Sequence, residues 1–129
     1  MNVTRPIIEH CVDVELEAAR KEHEDFHSLH EAYAVTLEET DEAEDEFRAM
    51  MRFMAELWAN VRADNAQYAY ETLSNVEKHA INLAAEAVQV AAMARKARRL
   101  GKGTEPRCKW PSDSMSINSE QNKTWFGKE

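Results

Sequence analysis

Little in this chain would break or bend a helix. Of its 129 residues only three are Gly and three are Pro. A β-sandwich or barrel needs turn residues every ten or so positions, so the scarcity argues against an all-β fold and for long helices with few interruptions. Cysteine is nearly absent too. Cys11 and Cys108 lie far apart, form no CxxC pair, and follow no signal-like apolar segment, which predicts a reduced, cytoplasmic setting. Long apolar runs are also missing. The longest mainly apolar stretch, Ile81 to Ala94, is interrupted by Asn82, Glu86 and Gln89, and no segment is expected to span a membrane. The length suits one domain rather than two independent cores.

What the chain has in excess is negative charge. The formal net charge is −8, and residues 1–100 carry 11 Lys and Arg against 20 Asp and Glu, so the surplus lies wholly in that part. Nucleic-acid affinity comes largely from neutralising phosphates with basic side chains, and an acidic body of this kind disfavours it. A nucleoside triphosphate is not excluded by the same argument. Divalent cations can sit between carboxylates and phosphates.

The pattern divides the chain into residues 1–100, a helical domain, and 101–129, a tail rich in Ser, Asn, Lys and Pro that is expected to be flexible or to dock on a partner subunit through Trp110, Trp125 and Phe126. Thr4, Arg5 and Pro6 read as a helix start, with Thr4 as a capping hydroxyl. Ile8, Val12, Leu16, Ala19, His23 and Phe26 then form an amphipathic stripe, giving a first helix over 6–26. Ser28 followed by Glu31 has capping-box spacing and predicts a second helix over 29–61, with Phe47, Met50, Met54, Leu57 and Val61 as its seam. The polar stretch 62–65 reads as a hairpin corner. A third helix follows over 66–99 with a seam of Leu73, Val76, Ala80, Leu83, Ala87, Val90 and Ala94, and Gly101 as its C-cap. Arg95, Lys96, Arg98 and Arg99 near its end complement the helix dipole, with phosphate contact as the second reading. The expected fold is therefore all-α: a helical hairpin with an additional N-terminal helix. Its apolar groups outnumber what three helices bury, which predicts a homodimer or homotetramer in which hairpins pair into four-helix bundles.

The acidic run Glu38 to Glu46 would ordinarily be a solvated helix face. Here Glu39 and Glu42 border the seam, and on the third helix His79, Asn82, Glu86, Gln89 and Met93 form a second polar line beside its own seam. Counting outward from a corner at residues 63–64 sets Glu42 level with Ala85 or Glu86, and Glu39 level with Val88 or Gln89. Carboxylates meeting there would repel one another unless a hard cation such as Mg²⁺ filled the site. Two weaker features compete. His23, His27 and His30 could suggest zinc, but straddle a helix break and lack cysteine partners. The Met50, Met51, Met54 cluster with Phe53 and Trp58 reads as core or subunit surface.

Glu38-Glu39-Thr40-Asp41-Glu42 matches the pattern EExxE, and Glu86-Ala87-Val88-Gln89 stands where ExxD would follow on the next helix. With their flanks, 26–35 and 86–94, these segments resemble the MazG-like all-α nucleoside triphosphate pyrophosphohydrolases, particularly small phage-type members, over about residues 23–100. The resemblance implies Mg²⁺-dependent hydrolysis of a (deoxy)nucleoside triphosphate to monophosphate and pyrophosphate, in the host cytoplasm if the chain is phage-encoded. It implies Glu39, Glu42 and Glu86 as metal ligands with Gln89 as a fourth, and Glu38 as the group that orients or deprotonates the attacking water. Asn82 and His30 are then candidates for contacts to substrate, and Asn82 equally for helix pairing. Two departures stand against the family pattern: Gln89 replaces Asp, and the interval between Glu42 and Glu86 is longer than usual. They support an alternative, a catalytically weak or inactive helical interaction module on the same scaffold.

Overall fold

A computed structural model describes residues 3–101. Three helices, α1 (Thr4–Glu22), α2 (Leu29–Arg62) and α3 (Ala66–Arg98), are followed by a 3₁₀ turn at Arg99–Gly101, and no strand occurs among the described residues. The fold is all-α, a hairpin of two long helices with α1 packed mainly on α3. The tail, with its three aromatics and Cys108, lies outside the described residues.

The entry to α2 follows from its local sequence. Ser28 is extended, and its Oγ accepts from the Glu31 backbone N–H at 3.1 Å. The Glu31 carboxylate accepts in turn from the His27 backbone N–H at 3.0 Å, one residue earlier than in a regular capping box. The corner spans residues 63–65, where Asp64 adopts a positive φ of 54° and the Asn65 N–H bonds the Asn60 carbonyl. Asp tolerates this left-handed conformation better than most residues.

Four expectations need correction. α1 stops at Glu22 rather than 26, and His23 takes an extended conformation. Glu22, Glu24 and Asp25 would crowd charge at the negative end of the helix, and leaving the helix lets Phe26 turn into the core. Thr4 does not cap α1: Val3 holds the N-cap position and no side chain bonds there. Gly101 does not cap α3, because Arg99 holds the C-cap position and the chain tightens into the 3₁₀ turn before Gly101 is reached.

The fourth correction concerns the seams. The side of α2 facing α3 carries Glu39, Ala43, Glu46, Met50, Phe53, Leu57 and Asn60, all half-buried, while Phe47, Met54 and Val61 are exposed. On α3, Val76, Ala80, Leu83 and Val90 are half-buried as expected, but Leu73, Ala87 and Ala94 are exposed. The polar line of Asn82, Glu86, Gln89 and Met93 turns inward instead. Polar groups are tolerated at this interface because they pair across it. His79 Nδ1 lies 2.5 Å from Glu46 Oε2, Asn82 Nδ2 donates to Glu46 Oε1 at 3.4 Å, and Asn60 Nδ2 donates to the buried Thr72 hydroxyl at 3.3 Å. The apolar core is confined to the end where α1 joins. Val12, Leu16, Phe26, Ala32, Ala92 and Met93 are buried together there, with Ala19, Val35, Val88, Ala97 and Leu100 packed around them.

Candidate metal centre and adjoining cavity

Glu39 and Glu42, three residues apart on α2, share one side of that helix, and Glu86 approaches from α3. One carboxylate oxygen from each lies within 4.8 Å of the others, so the register counted from the corner brings these three together. Glu39 and Glu86 are half-buried and Glu42 is exposed. Burial first, and then the charges of Glu42, Glu86, Glu38 and Glu15, push the Glu39 carboxyl above its ordinary value of 4.5. Burial also raises Glu86, followed by the charge of Glu42 and a hydrogen bond to it, which requires a proton on one of the pair. Oxygen ligands of a single octahedral Mg²⁺ at about 2.1 Å stand about 3–4 Å apart, so modest side-chain rotation would let the three oxygens hold such an ion. The donor set, all hard oxygen, fits Mg²⁺ or Mn²⁺ better than zinc.

One turn toward the hairpin corner the electrostatics invert. The Glu46 carboxyl is held below 4.5, chiefly by its hydrogen bond with His79 and then, after a smaller opposing effect of burial, by that from Asn82. Phe53 stacks on the His79 ring with centroids 5.4 Å apart, fixing the imidazole between the helices. Asn82 is thereby engaged in pairing α2 to α3.

On the other side of the cluster a cavity of about 830 Å³ opens between α1, the start of α2 and the end of α3. Glu39 and Gln89 line it near the carboxylates, and Phe26, His27 and Lys96 line it farther along. Its volume lies within the roughly 300–1,000 Å³ usual for small-molecule sites. Lys96 is only 4 % exposed, its ammonium stands 4.5 Å from the centre of the Phe26 ring, and, after the His27 backbone hydrogen bond, its charge helps hold the Glu31 carboxyl, which lines the same cavity, below its ordinary value. An ammonium at a cavity wall can take an anionic ligand, and here it does so in competition with Glu31. Its role was legible only in part: the line Asn82, Glu86, Gln89, Met93 continues by three to Lys96, but the residue also sits among helix-ending cations.

The remaining candidates distribute unevenly. Gln89, half-buried, borders the same cavity as Glu39. Glu38 is exposed, one residue round the helix from Glu39. His30 is exposed in the first turn of α2 and does not line the cavity, whereas His23 and His27 do. His27 is engaged by Glu24 and Glu31, and no three of these histidines and acids gather as a zinc set among the described residues. No described helix is long and apolar enough to cross a membrane. Comparison of the chain with protein-family models, with curated proteins and with solved structures gave no match.

Proposed function

We propose that the chain is a Mg²⁺-dependent nucleoside triphosphate pyrophosphohydrolase acting at the Glu39, Glu42, Glu86 cluster. The supporting observation is the convergence of these carboxylates beside a ligand-sized cavity that Lys96 also lines. Glu15, Glu22, Glu24 and Glu31 line this space as well as Glu39, so a polyphosphate would enter it only with metal between the two sets of negative charges, Lys96 being the one lysine or arginine among the described residues that line it. The helix rise from Glu86 to Lys96 is about 15 Å, long enough to separate the two attachment points along an extended substrate.

In this reading Glu39, Glu42 and Glu86 hold the metal, and Gln89 borders it through its amide. When bound, the ion supplies charge neutralisation on the phosphate oxygens and acidifies water. Lys96 takes an anionic oxygen of the substrate, and Phe26 holds the Lys96 stem away from solvent. Glu38, exposed and next to the cluster, accepts the proton of the attacking water. The test is pyrophosphate release from all eight common NTPs and dNTPs with Mg²⁺, beside Glu42→Gln and Lys96→Met. Turnover in the unaltered chain that is lost in Glu42→Gln and shows a raised KM in Lys96→Met is expected. No turnover, with Gln89→Asp also inactive, would overturn the proposal.

A second reading has its own support. Phe47, Met51, Met54, Trp58 and Val61 recur by four and three along α2 and are all exposed, Trp58 by 60 %. An apolar stripe of this kind suits pairing with another helical surface, in a homodimer or homotetramer or with another protein. With Gln89 in place of an acid, a chain that binds without turnover would keep this surface and the metal cluster alone.

A further inference from the structure

The geometry points to a second anion site, separate from the carboxylate cluster, in which Arg20, Arg98 and Arg99 take a phosphate or diphosphate group. A hollow of about 230 Å³ between α1 and the end of α3 is lined by Leu16, Arg20, Arg95, Arg98 and Arg99. Four of its five lining residues are therefore permanently charged cations.

Their compensation is incomplete. Arg95 donates to Asp13 of α1, and no ion pair engages Arg20, Arg98 or Arg99 among the described residues. Arg20 Nε and Nη2 are buried and bond to nothing among the described residues. Guanidinium nitrogens removed from water without an acceptor are unfavourable, and a turn of the Arg20 side chain toward an oxyanion in the hollow would give both an acceptor in the side-on geometry that Arg offers. The partial negative end of α3 opposes an anion by about half an elementary charge, which the three guanidiniums not paired with Asp13 outweigh. Size narrows the ligand. The hollow is smaller than the roughly 300 Å³ at which small-molecule sites begin, so it accepts an anionic group rather than a whole nucleotide. Surplus positive charge beyond Asp13 favours a multiply charged group, phosphate or diphosphate, over a single carboxylate.

The site is distinct from the proposed metal centre. The helix rise from Glu86 to Arg98 is about 18 Å, and the hollow opens beside Leu16 and Arg20 of α1 rather than beside Ala18, Ala19 and Glu22, which line the larger cavity.

The test is calorimetric titration of the full chain with sodium pyrophosphate, sodium phosphate, AMP and, as a dicarboxylate control, sodium malonate, in EDTA so that metal-bridged binding is silent, at constant ionic strength. One equivalent of pyrophosphate or phosphate should bind, unchanged in Glu42→Gln and weakened about tenfold or more in Arg98→Gln/Arg99→Gln, exposed substitutions whose folding circular dichroism would confirm. AMP binding as tightly as phosphate would assign the group to a phosphomonoester carried by a larger molecule that projects from the hollow. Absence of binding, equal binding by malonate, loss in Glu42→Gln, or retention in the double Arg variant would each overturn the assignment.

Discussion

At Glu39 and Glu86 the folded chain raises the affinity for protons, and the sign of the consequence is fixed. Groups whose folded pKa exceeds the unfolded value stabilise the fold fully below about 4.5, and that contribution is lost as pH rises through the folded pKa. The melting temperature in EDTA should therefore fall as pH increases above 4.5 and then level off. Glu39→Gln/Glu86→Gln should remove that part of the slope, and millimolar Mg²⁺ should restore stability at neutral pH in the unaltered chain alone. Glu46 works the other way. Its pKa is depressed, so its contribution is present above 4.5 and lost as pH falls through the lower folded value. Glu46→Gln should blunt the acid-side loss of stability seen in thermal melts. These opposed shifts in neighbouring carboxylates were not readable from spacing. The sequence presents Glu39 and Glu46 as acids in one run, and burial beside other acids, Glu86 of α3 among them, for Glu39 and a hydrogen bond with His79 for Glu46 separate them.

At the scale of elements, helix boundaries were legible where a short-range device sets them. Ser28 and Glu31 act within four residues of each other, and the second helix begins where their spacing places it. Ser28→Ala should cost about 1 kcal/mol in chemical denaturation, as for other lost N-caps. The corner was legible from its polar residues, but its left-handed backbone was not. Asp64→Val should cost about 1–2 kcal/mol, because a β-branched residue fits positive φ poorly. Which line of α2 faces α3 escaped sequence reasoning for a different reason. Two adjacent lines both repeat by three and four, and hydropathy favours the one with Phe47 and Met54. The chain buries the other, whose polar members find partners on α3. Glu39 and Glu86 consequently lie deeper than residues merely flanking a seam would.

For the molecule as far as it is described, the apolar stripe left by that choice is an unbalanced surface. If copies of the chain pair through it, light scattering should return a dimer or tetramer, and Met54→Glu/Trp58→Glu should return a monomer that keeps its helical circular dichroism. A monomer in the unaltered chain would direct the stripe to another protein.

The hairpin helices, of 34 and 33 residues, each run about 50 Å, whereas α1 has 19 residues, about 28 Å, and the core gathers beside it. Among the described residues, the hairpin continues beyond Glu42 and Glu86 as two helices, with only Ala49 and Thr72 buried along that reach. Opening of such an arm exposes little apolar surface, so its amides should exchange hydrogen sooner than those of α1 and the last turns of α3. The carboxylates stand at the boundary between the two regimes. An ion bound there would clamp the root of the arm, and its occupancy should be read as slowed amide exchange from residue 43 onward and before residue 85, many turns from any atom that touches it.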